Sequence, residues 1–337
     1  MKICQLLVAG TGGLAKHIVD LSNELSEQGH DVTAIVPADF SGAFNGSVRV
    51  FRLKPQNKFT SHFYTLKLFF LIRKISPDVV HAHGKAASVH LARIKPFVRG
   101  RCVGTVHWNQ KRRKDFRGFE QLDGVIGVSE PVLDLLESPR RTVIYNGAQE
   151  PEKFPGAKEE MISNYQLNPD FPLAIAIGRL VHGKGFHNLV QAWQGVDANL
   201  LIVGDGPEYG RLSELVASYG LADRVRVAGA IPQAARMMDV ADLTVVSSFR
   251  EGFSYVLAES LLYRVPIVST RVNGTEVLPL AAVVAVDDVA ALHEKLVEVI
   301  NNRAAFSAEF DSVFEWAKEN LTVSKMADNV LAYYSSL

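Results

Sequence analysis

The amino-acid sequence predicts an α/β protein made of two doubly wound domains, each built on a parallel β-sheet. Apolar runs of strand length alternate with longer amphipathic stretches almost throughout, as in successive βαβ units. The chain has 337 residues, which is more than one hydrophobic core usually spans. The alternation fades between Asn146 and Pro172, where prolines accumulate. These three observations favour two domains of about 150 residues each.

Short apolar runs on both sides of this break are predicted as strands, and the longer stretches between them as covering helices. Those before the break are residues 3–8, 32–36, 48–51, 79–82, 102–106, 125–128 and 143–145. Those after it are residues 173–177, 200–203, 225–228, 243–246, 267–269 and 283–286.

The domain boundary is predicted near Gly156, which gives domains of residues 1–156 and 157–337. We expect the last helix, about residues 320–337, to pack back on the N-terminal domain. Ligands of doubly wound sheets bind beyond the carboxyl ends of the strands. The active site is therefore expected in a cleft between the two halves.

The composition is that of a folded enzyme. Hydrophobic residues make up 47% and charged residues 21% of the chain, which excludes a disordered or fibrous class. Cys4 and Cys102 lie in apolar runs and are expected to be buried thiols rather than a disulfide or a metal site. Gly10 interrupts the first apolar run before a signal-peptide core could form, and no run of 18 apolar residues follows. We expect a cytoplasmic protein.

The net charge is zero, but the two halves differ in sign. Residues through Tyr165 include 23 Lys and Arg against 16 Asp and Glu, and the remainder has 13 against 20. The densest basic part is residues 93–117, which include Lys111-Arg112-Arg113-Lys114. It is either a solvated surface or a face that meets an anionic partner, for which a membrane is preferred to a nucleic acid.

Residues 59–75 are predicted as one helix, and it is unusually rich in aromatic and basic side chains. Two interpretations stay open. The helix packs against the first sheet, or it makes an interfacial contact with a membrane, which would place the protein at the inner face of the cytoplasmic membrane.

A glycine-rich turn, Gly10-Thr11-Gly12-Gly13, follows the first strand and precedes a helix. Glycines there let the backbone approach a phosphate at the helix N-terminus. A dinucleotide fingerprint would need an acid at the end of the second strand, but Asp39 comes late and behind a proline. Nicotinamide binding is therefore disfavoured.

The second half carries a stronger pattern, Gly178-Arg179-Leu180-Val181-His182-Gly183-Lys184-Gly185, between a strand and a helix. Arg179 and Lys184 flank the loop and suit the two negative charges of a diphosphate. The alternative is that both are ordinary surface cations.

Two carboxylates, Glu251 and Glu259, are separated by seven residues in a segment that begins as a loop and ends as a helix. If it were all helical they would span about 12 Å, enough for a sugar at one end and a ribose at the other. Carboxylates only accept hydrogen bonds, so they suit vicinal hydroxyls. The alternative is a loop acid and an acid on a solvated helix face.

Taken together, these motifs resemble the retaining GT-B glycosyltransferases that share the Glu-x7-Glu element, family four in the usual grouping. Their order and spacing make the resemblance specific. The matches cover nearly the whole chain: Gly12-Gly13, residues 78–86, Thr105-Val106-His107, Val128-Ser129, Asn146-Gly147, Gly178-Arg179, Lys184-Gly185, residues 203–207 and residues 251–266.

The resemblance implies the GT-B fold, with two Rossmann-like domains, and a role for each matching residue. Arg179 and Lys184 would hold the diphosphate, Glu259 the ribose hydroxyls, and His107 the transferring sugar. Glu251 would hold the donor sugar. The catalytic residues would be His107, Arg179, Lys184 and Glu251, and Glu259 would bind the donor. The remaining donor-binding residues would be Gly12, Gly13, Gly204, Asp205, Gly206, Gly252, Phe253 and Ser254. His83 and Lys85 would lie on the acceptor side, as in enzymes that build bacterial surface polysaccharides.

The implied reaction moves a hexose or N-acetylhexosamine from a nucleotide diphosphate sugar, with UDP-sugar favoured, to a glycan or lipid-linked acceptor with retention of configuration. Lipopolysaccharide or surface polysaccharide assembly is the expected setting. No cofactor is required, and no metal is expected because no Asp-x-Asp or helical His-x3-His occurs. The rivals are a related phosphorylase or sugar-nucleotide epimerase, and a silent binding scaffold. Ser260 and Arg264 depart from the usual pattern, which puts local packing in doubt more than activity.

Overall fold

The computed structural model describes residues 1–54, 61–108 and 112–337. Within them, each predicted strand overlaps an observed one. The strands of the first sheet are β1 (Lys2–Leu7), β2 (Asp31–Pro37), β3 (Arg49–Leu53), β4 (Val79–His83), β5 (Arg101–Val106), β6 (Gly124–Gly127) and β7 (Arg141–Val143). Those of the second sheet are β8 (Leu173–Ile177), β9 (Asn199–Val203), β10 (Val225–Gly229), β11 (Leu243–Val246), β12 (Ile267–Thr270) and β13 (Val283–Val284).

Helices connect the strands and continue to the end of the chain. In order they are α1 (Gly13–Glu27), α2 (Ser61–Ile75), α3 (Gly84–Ile94), α4 (Lys158–Asn164), α5 (Phe186–Ala192), α6 (Tyr209–Ser218), α7 (Tyr255–Leu262), α8 (Val289–Asn301), α9 (Arg303–Ala308), α10 (Asp311–Asn320) and α11 (Val323–Ser336).

The described residues form two compact units. The first unit contains Met1–Gly147 together with Val323–Leu337, and the second unit contains Ala148–Thr322. The chain thus leaves the first unit after Gly147, before the predicted boundary at Gly156, and returns to it at α11.

The first unit is built on a parallel sheet with the strand order β3-β2-β1-β4-β5-β6-β7. All five residues of β4 are buried, as expected of a parallel strand covered by helices on both faces. The order reverses between β1 and β4, where Leu7 pairs with His83. The loops that follow these two strands are therefore neighbours at the carboxyl edge, where such sheets bind ligands.

Helix α11 completes the core of the first unit. Its buried side chains join one apolar cluster with residues of α1 and the sheet, and they are Val323, Met326, Ala327, Val330 and Tyr334. Tyr333 adds polar bonds, since its Oη accepts from the backbone N of Val125 at 2.9 Å and donates to the carbonyl of Arg140 at 2.8 Å. The C-terminal helix is therefore a structural part of the N-terminal unit.

Strand β7 is the element whose position differs most from its prediction. The sequence predicts residues 143–145, but the strand spans Arg141–Val143, with Arg141 paired to Val125 of β6. An edge strand bonds to one neighbour, so its register with β6 decides its bounds and an apolar run is not required. The apolar run lies mostly beyond the strand for this reason.

The second unit has a parallel sheet with the order β10-β9-β8-β11-β12-β13. This order reverses between β8 and β11, which pair through Leu243 with Ala174. The loop after β8 carries Arg179 and Lys184, and the loop after β11 leads to Glu251. The two strongest sequence motifs of the second half thus meet at one point of the sheet.

Helix α2 buries one face and exposes another. Tyr64, Leu68, Ile72 and Ile75 are buried against the first sheet, as the packing interpretation predicts. Phe63 and Phe70 are 69% and 60% exposed, so packing leaves much of the aromatic surface uncovered. Residues 59 and 60 of the predicted helix lie outside the described residues. No helix among the described residues is long and apolar enough to cross a membrane.

Both cysteines are buried free thiols, as predicted. Burial raises the pKa of Cys4 to about 12, and it does the same for Cys102.

Candidate active site

Backbone contacts hold the glycine-rich loops of the second unit together. The N–H of Gly178 donates to the carbonyl of Val203 at 2.9 Å, and that of Leu180 donates to the carbonyl of Asp205 at 2.8 Å. The loops approach so closely that a Cβ at Gly204, where φ is +152°, would lie 1.8 Å from the carbonyl oxygen of Gly178. The Gly204-Asp205-Gly206 segment is therefore fixed beside Gly178-Arg179 by glycine.

Lys184 and Glu251 form an ion pair, with Nζ 2.6 Å from Oε1. The lysine side chain is 26% exposed and the carboxylate only 6%. Ser248 donates from Oγ to the same Oε1 at 2.6 Å. A buried carboxylate is costly unless it is paired and hydrogen-bonded, and these two partners supply both. Two motifs that lie far apart in the sequence become one charged centre.

The loop after β11 is itself anchored to both neighbouring loops. Ser247 donates from Oγ to the carbonyl of Lys184 at 2.9 Å, and Thr270 donates from Oγ1 to the carbonyl of Ser248 at 2.6 Å. Gly185 has φ +65°, and a Cβ there would lie 2.1 Å from the carbonyl oxygen of Ser247. The position of Glu251 relative to Lys184 is thus set by the backbone. Arg179, on the same loop as Lys184, is exposed.

Between Glu251 and Glu259 the chain turns from a loop into α7. Gly252, Phe253 and Ser254 are buried, and the helix begins directly after them at Tyr255. Glu259 lies on α7 and is half-buried. The interpretation of Glu251 as an ordinary loop acid does not fit its burial and its pairing with Lys184. The role of Glu259 at the ribose stays a prediction.

The two departures from the family pattern have structural partners. Ser260 is buried and donates to Thr244 Oγ1 at 2.7 Å, which ties α7 to β11. Arg264 has φ +58° and pairs with Glu315 of α10, and its guanidinium lies 5.1 Å from the ring centre of Phe314. Both residues serve packing around α7.

In the first unit, the glycine-rich turn leads into α1 as predicted. Gly12 precedes the helix with φ +60°, a conformation that an L side chain rarely adopts. A Cβ at Gly12 would meet no described atom within 4 Å. Backbone conformation, rather than lack of space, therefore requires glycine here.

Buried histidines cluster at the carboxyl edge of the first sheet. His83 ends β4, His107 follows β5, and His17 lies on α1. His83 Nδ1 lies 3.4 Å from His107 Nε2, and His83 Nε2 donates to Gln5 Oε1 at 2.6 Å. His17 Nδ1 donates to Asn146 Oδ1 at 2.9 Å. The predicted acceptor-side His83 and sugar-side His107 are thus direct neighbours.

A second pair of bonds extends this cluster to α11. His81 Nδ1 lies 2.6 Å from Tyr334 Oη, and its Nε2 lies 2.6 Å from Thr105 Oγ1. Burial lowers the pKa of His17 to about 4 and that of His81 to about 3. Burial also holds the pKa values of His83 and His107 well below their usual range. All four rings are therefore neutral at neutral pH.

Lys85 is exposed, unlike the nearby His83, which is buried. It lies at the start of α3, is 49% exposed, and pairs with Asp115 through Nζ and Oδ1 at 2.6 Å. Its acceptor-side role stays a prediction.

Sequence reasoning gave no site role to several residues of these two clusters, among them Gln5, His17, Asn146, Ser248 and Tyr334. Gln5 and Ser248 gave no motif signal, and His17 lies in a stretch with ordinary helical periodicity. Asn146 was one of the family matches, but nothing in the sequence joins it to His17, 129 residues away.

Known proteins are similar to this chain in sequence and in fold. The chain is similar to the lipopolysaccharide core biosynthesis glycosyltransferase LpsE of Rhizobium meliloti, with 28% identity covering 82% of this chain and 81% of the relative. It is 26% identical to the N-acetyl-alpha-D-glucosaminyl L-malate synthase of Bacillus anthracis, covering 80% and 78%. HepE of Anabaena, solved in complex with UDP and glucose, superposes with a TM-score of 0.82 at 18% identity over the full length of both chains.

The two parallel sheets and this structural likeness show the GT-B fold. Two family models match its two halves: Glycosyltransferase Family 4 over residues 11–149 and Glycosyl transferases group 1 over residues 157–312. The chain belongs to glycosyltransferase family 4.

Proposed function

We propose that this glycosyltransferase transfers a hexose or N-acetylhexosamine from a UDP-sugar to a glycan or lipid-linked glycan acceptor, with retention of anomeric configuration. The observation that carries the proposal is the Lys184–Glu251 ion pair at the reversal point of the second sheet. Relatives point the same way, since LpsE is named for lipopolysaccharide core biosynthesis and HepE was solved with UDP and glucose. Lipopolysaccharide or surface polysaccharide assembly is the proposed setting.

The second unit binds the donor in this proposal. Arg179 and Lys184 face the diphosphate, because a guanidinium and an ammonium on one loop match its two charges. Both bonds to Glu251 use Oε1, which leaves Oε2 to accept from a sugar hydroxyl. The buried backbone of Gly252, Phe253 and Ser254 adds to the sugar site. Glu259 accepts from the ribose hydroxyls, and the Gly204-Asp205-Gly206 segment borders the base.

The first unit binds the acceptor. Gly12 and Gly13 offer backbone N–H groups to a phosphate or an acceptor, and His107 contacts the transferring sugar. His83 and Lys85 serve the acceptor side. His83 is buried, so it acts through its neighbour His107, whereas the exposed Lys85 can meet an acceptor directly.

In the proposed reaction the bond between the anomeric carbon and the diphosphate oxygen breaks, and the acceptor oxygen bonds to that carbon on the same face. The acceptor proton passes to a phosphate oxygen of the leaving nucleoside diphosphate. Lys184 and Arg179 stabilise the charge that grows on that leaving group. No nucleophile from the enzyme and no cofactor take part.

Donor binding is tested by thermal unfolding with UDP, GDP and ADP sugars. A ligand that binds only the folded state raises the unfolding temperature by mass action, and we expect the largest rise with UDP-sugar. Glu259→Ala should weaken donor binding by about 1–3 kcal/mol, because a hydrogen-bonded partner of the ribose is lost. A 2′-deoxyribose donor should lose much less affinity on this variant than on the wild type.

Two outcomes contradict this prediction. Equal losses of the 2′-deoxy donor on both proteins would place Glu259 away from the ribose. Donor binding without any release of nucleotide, in the presence or absence of glycan acceptors, would instead favour a silent binding scaffold.

We also propose that the first unit associates with anionic membranes at the inner face of the cytoplasmic membrane. Residues 40–114 contain 16 Lys and Arg and a single acid, Asp78. Within this segment Phe63, Phe70 and the nearby Phe97 are 69%, 60% and 70% exposed. Exposed aromatic rings in a segment with a large excess of cations suit the interface of an anionic bilayer.

We expect the exposed residues of α2 to carry this contact. In the basic run near residue 112, Lys111 lies outside the described residues, and Arg113 is paired with Glu137. On α2, Lys67, Arg73 and Lys74 accompany the exposed rings.

Replacing Phe63 and Phe70 with serine should therefore lower binding to anionic vesicles by about tenfold or more, because two exposed rings no longer enter the bilayer interface. Binding of the wild type should also fall steeply from low to physiological ionic strength. Vesicle co-sedimentation measures both effects. Leu280→Ser is the matched control, because Leu280 is 76% exposed but belongs to the second unit. The proposal is contradicted if the wild type does not bind anionic vesicles or if its binding does not depend on salt. It is also contradicted if Leu280→Ser reduces binding as much as the replacement of Phe63 and Phe70.

A further inference from the structure

Three histidines from separate parts of the first unit bring one ring nitrogen each into a small buried group. They are His17 of α1, His83 of β4 and His107 after β5, and all are buried. The three nitrogens all lie within 4.8 Å of one another. Such a group has the donor set of a divalent transition-metal site, in which neutral imidazole is the commonest ligand.

The spacing of the rings fits one tetrahedral ion. A Zn–N bond of about 2.05 Å puts each ring centre about 3.2 Å from the ion, so tetrahedral neighbours have ring centres about 5.2 Å apart and nitrogens about 3.3 Å apart. The ring centres are 4.6, 5.2 and 5.6 Å apart. His83 Nδ1 and His107 Nε2 are 3.4 Å apart.

Two of the outward-facing nitrogens, on His17 and His83, have the kind of partner that metal-binding histidines usually have. His17 Nδ1 bonds to Asn146 Oδ1, and His83 Nε2 bonds to Gln5 Oε1. An amide oxygen only accepts, so each of these nitrogens carries the hydrogen and the opposite nitrogen keeps a lone pair. Outer partners of this kind fix the ring orientation of ligating histidines. His17 Nε2 is buried and has no hydrogen-bond partner among the described residues.

We propose that His17, His83 and His107 form a binding site for a divalent transition-metal ion of the Zn²⁺ class, with the fourth position open. The expectation of no metal rested on the lack of Asp-x-Asp and of helical His-x3-His pairs. Local patterns of this kind do not reveal histidines that the fold brings together from three elements. One consequence rests on the proposed function. Because His107 is the proposed contact of the transferring sugar, an ion bound there should inhibit sugar transfer.

The second unit holds another group, His182, His187 and Glu208, which provides a control. The rings of His182 and His187 are stacked nearly parallel, at 10° with centres 4.8 Å apart. An ion must lie close to the plane of each ring that binds it, so two stacked rings cannot share one ion without turning. We therefore assign no metal to this group.

The test is a Co²⁺ titration of chelator-treated protein, followed by visible absorption, because tetrahedral Co²⁺ absorbs far more strongly than the hydrated ion. The wild type should bind one equivalent with a tetrahedral spectrum, and Zn²⁺ should displace it. His17→Ala should abolish the spectrum. Asn146→Ala, which keeps all three ligands, should weaken binding by about 10–100-fold. The double variant His182→Ala/His187→Ala should bind like the wild type.

Thermal unfolding without metal establishes whether each variant is folded. If His17→Ala does not fold, the weakened Co²⁺ binding of Asn146→Ala tests the site instead. Three results would overturn the site. The wild type could show no tetrahedral Co²⁺ spectrum, a folded His17→Ala protein could keep that spectrum, or the double variant His182→Ala/His187→Ala could lose it. Zn²⁺ binding without inhibition of sugar transfer would leave the site standing and contradict the proposed role of His107.

Discussion

Replacing Lys184 with alanine is expected to lower kcat by roughly a hundredfold or more, while donor affinity changes less. The diphosphate is already charged when the donor binds, but its bridging oxygen gains further charge as the glycosidic bond breaks. A cation held beside it therefore stabilises the transition state more than the bound donor. Each tenfold in rate corresponds to about 1.4 kcal/mol of barrier, so the expected loss is about 3 kcal/mol.

The ion pair with Glu251 complicates this substitution. Removing Lys184 leaves a carboxylate that is 6% exposed without its counter-ion, which costs stability in its own right. The double variant Lys184→Ala/Glu251→Gln removes that unpaired charge and should recover stability without recovering kcat. Lys158→Ala is a control for loss of a lysine ion pair elsewhere in the same unit, because Lys158 is 29% exposed and pairs with Asp242, which is more exposed than Glu251.

The measurements are kcat at saturating donor, donor affinity by calorimetry, and the free energy of unfolding of every variant. Arg179→Lys should also lower kcat, because a point charge does not reproduce the guanidinium fork. If Lys184→Ala turned over at the wild-type rate once donor was saturating, Lys184 would act in ground-state binding and the proposed mechanism would be wrong.

Replacing Gly204 with alanine is expected to lower the free energy of unfolding by at least about 3 kcal/mol and to abolish measurable donor binding. Its Cβ would lie 1.8 Å from the carbonyl oxygen of Gly178, and the residue has φ +152°. Backbone atoms cannot turn aside as a side chain can. The two loops must separate, and the bonds from Gly178 to Val203 and from Leu180 to Asp205 would be lost.

Two other glycines separate the causes of this effect. Gly183 lies on the loop after β8, its φ is not positive, and an added Cβ would have no described atom within 4 Å. Gly183→Ala should therefore leave the free energy of unfolding nearly unchanged. Gly220 has φ +65° but equally open space, so Gly220→Ala measures the conformational cost alone, about 1 kcal/mol. Chemical denaturation measures all three variants. A Gly204→Ala protein no less stable than Gly220→Ala would show that the loops are not tightly joined.

The fold was largely predictable because the strands of a covered parallel sheet are continuous apolar runs. Such runs are visible in the sequence at β4 and β9, where every residue is buried in the structure. Strand β7 was misplaced because an edge strand takes its bounds from pairing with β6. Local apolar pattern carries no information on such pairing.

The site was predictable only as separate motifs. Spacing and residue type indicated Lys184 as a phosphate cation and Glu251 as a sugar ligand, but not that they contact each other across 67 residues. That contact arises because β8 and β11 are adjacent in the sheet. The histidine cluster has the same origin, since α1, β4 and β5 converge only in the folded unit. Contacts of this range depend on strand order, which no local pattern specifies.

The position of α11 has a consequence for how the chain is made. The first unit begins with residue 1, yet its core includes Val323, Met326 and Tyr334. At about 5–20 residues per second, the ribosome needs roughly 10–40 s after Gly147 to synthesise the rest of the chain. The second unit is continuous in sequence, so it can fold while this occurs. The core of the first unit is therefore completed only after the second unit has been synthesised, and its α11-binding surface must stay unaggregated until α11 emerges.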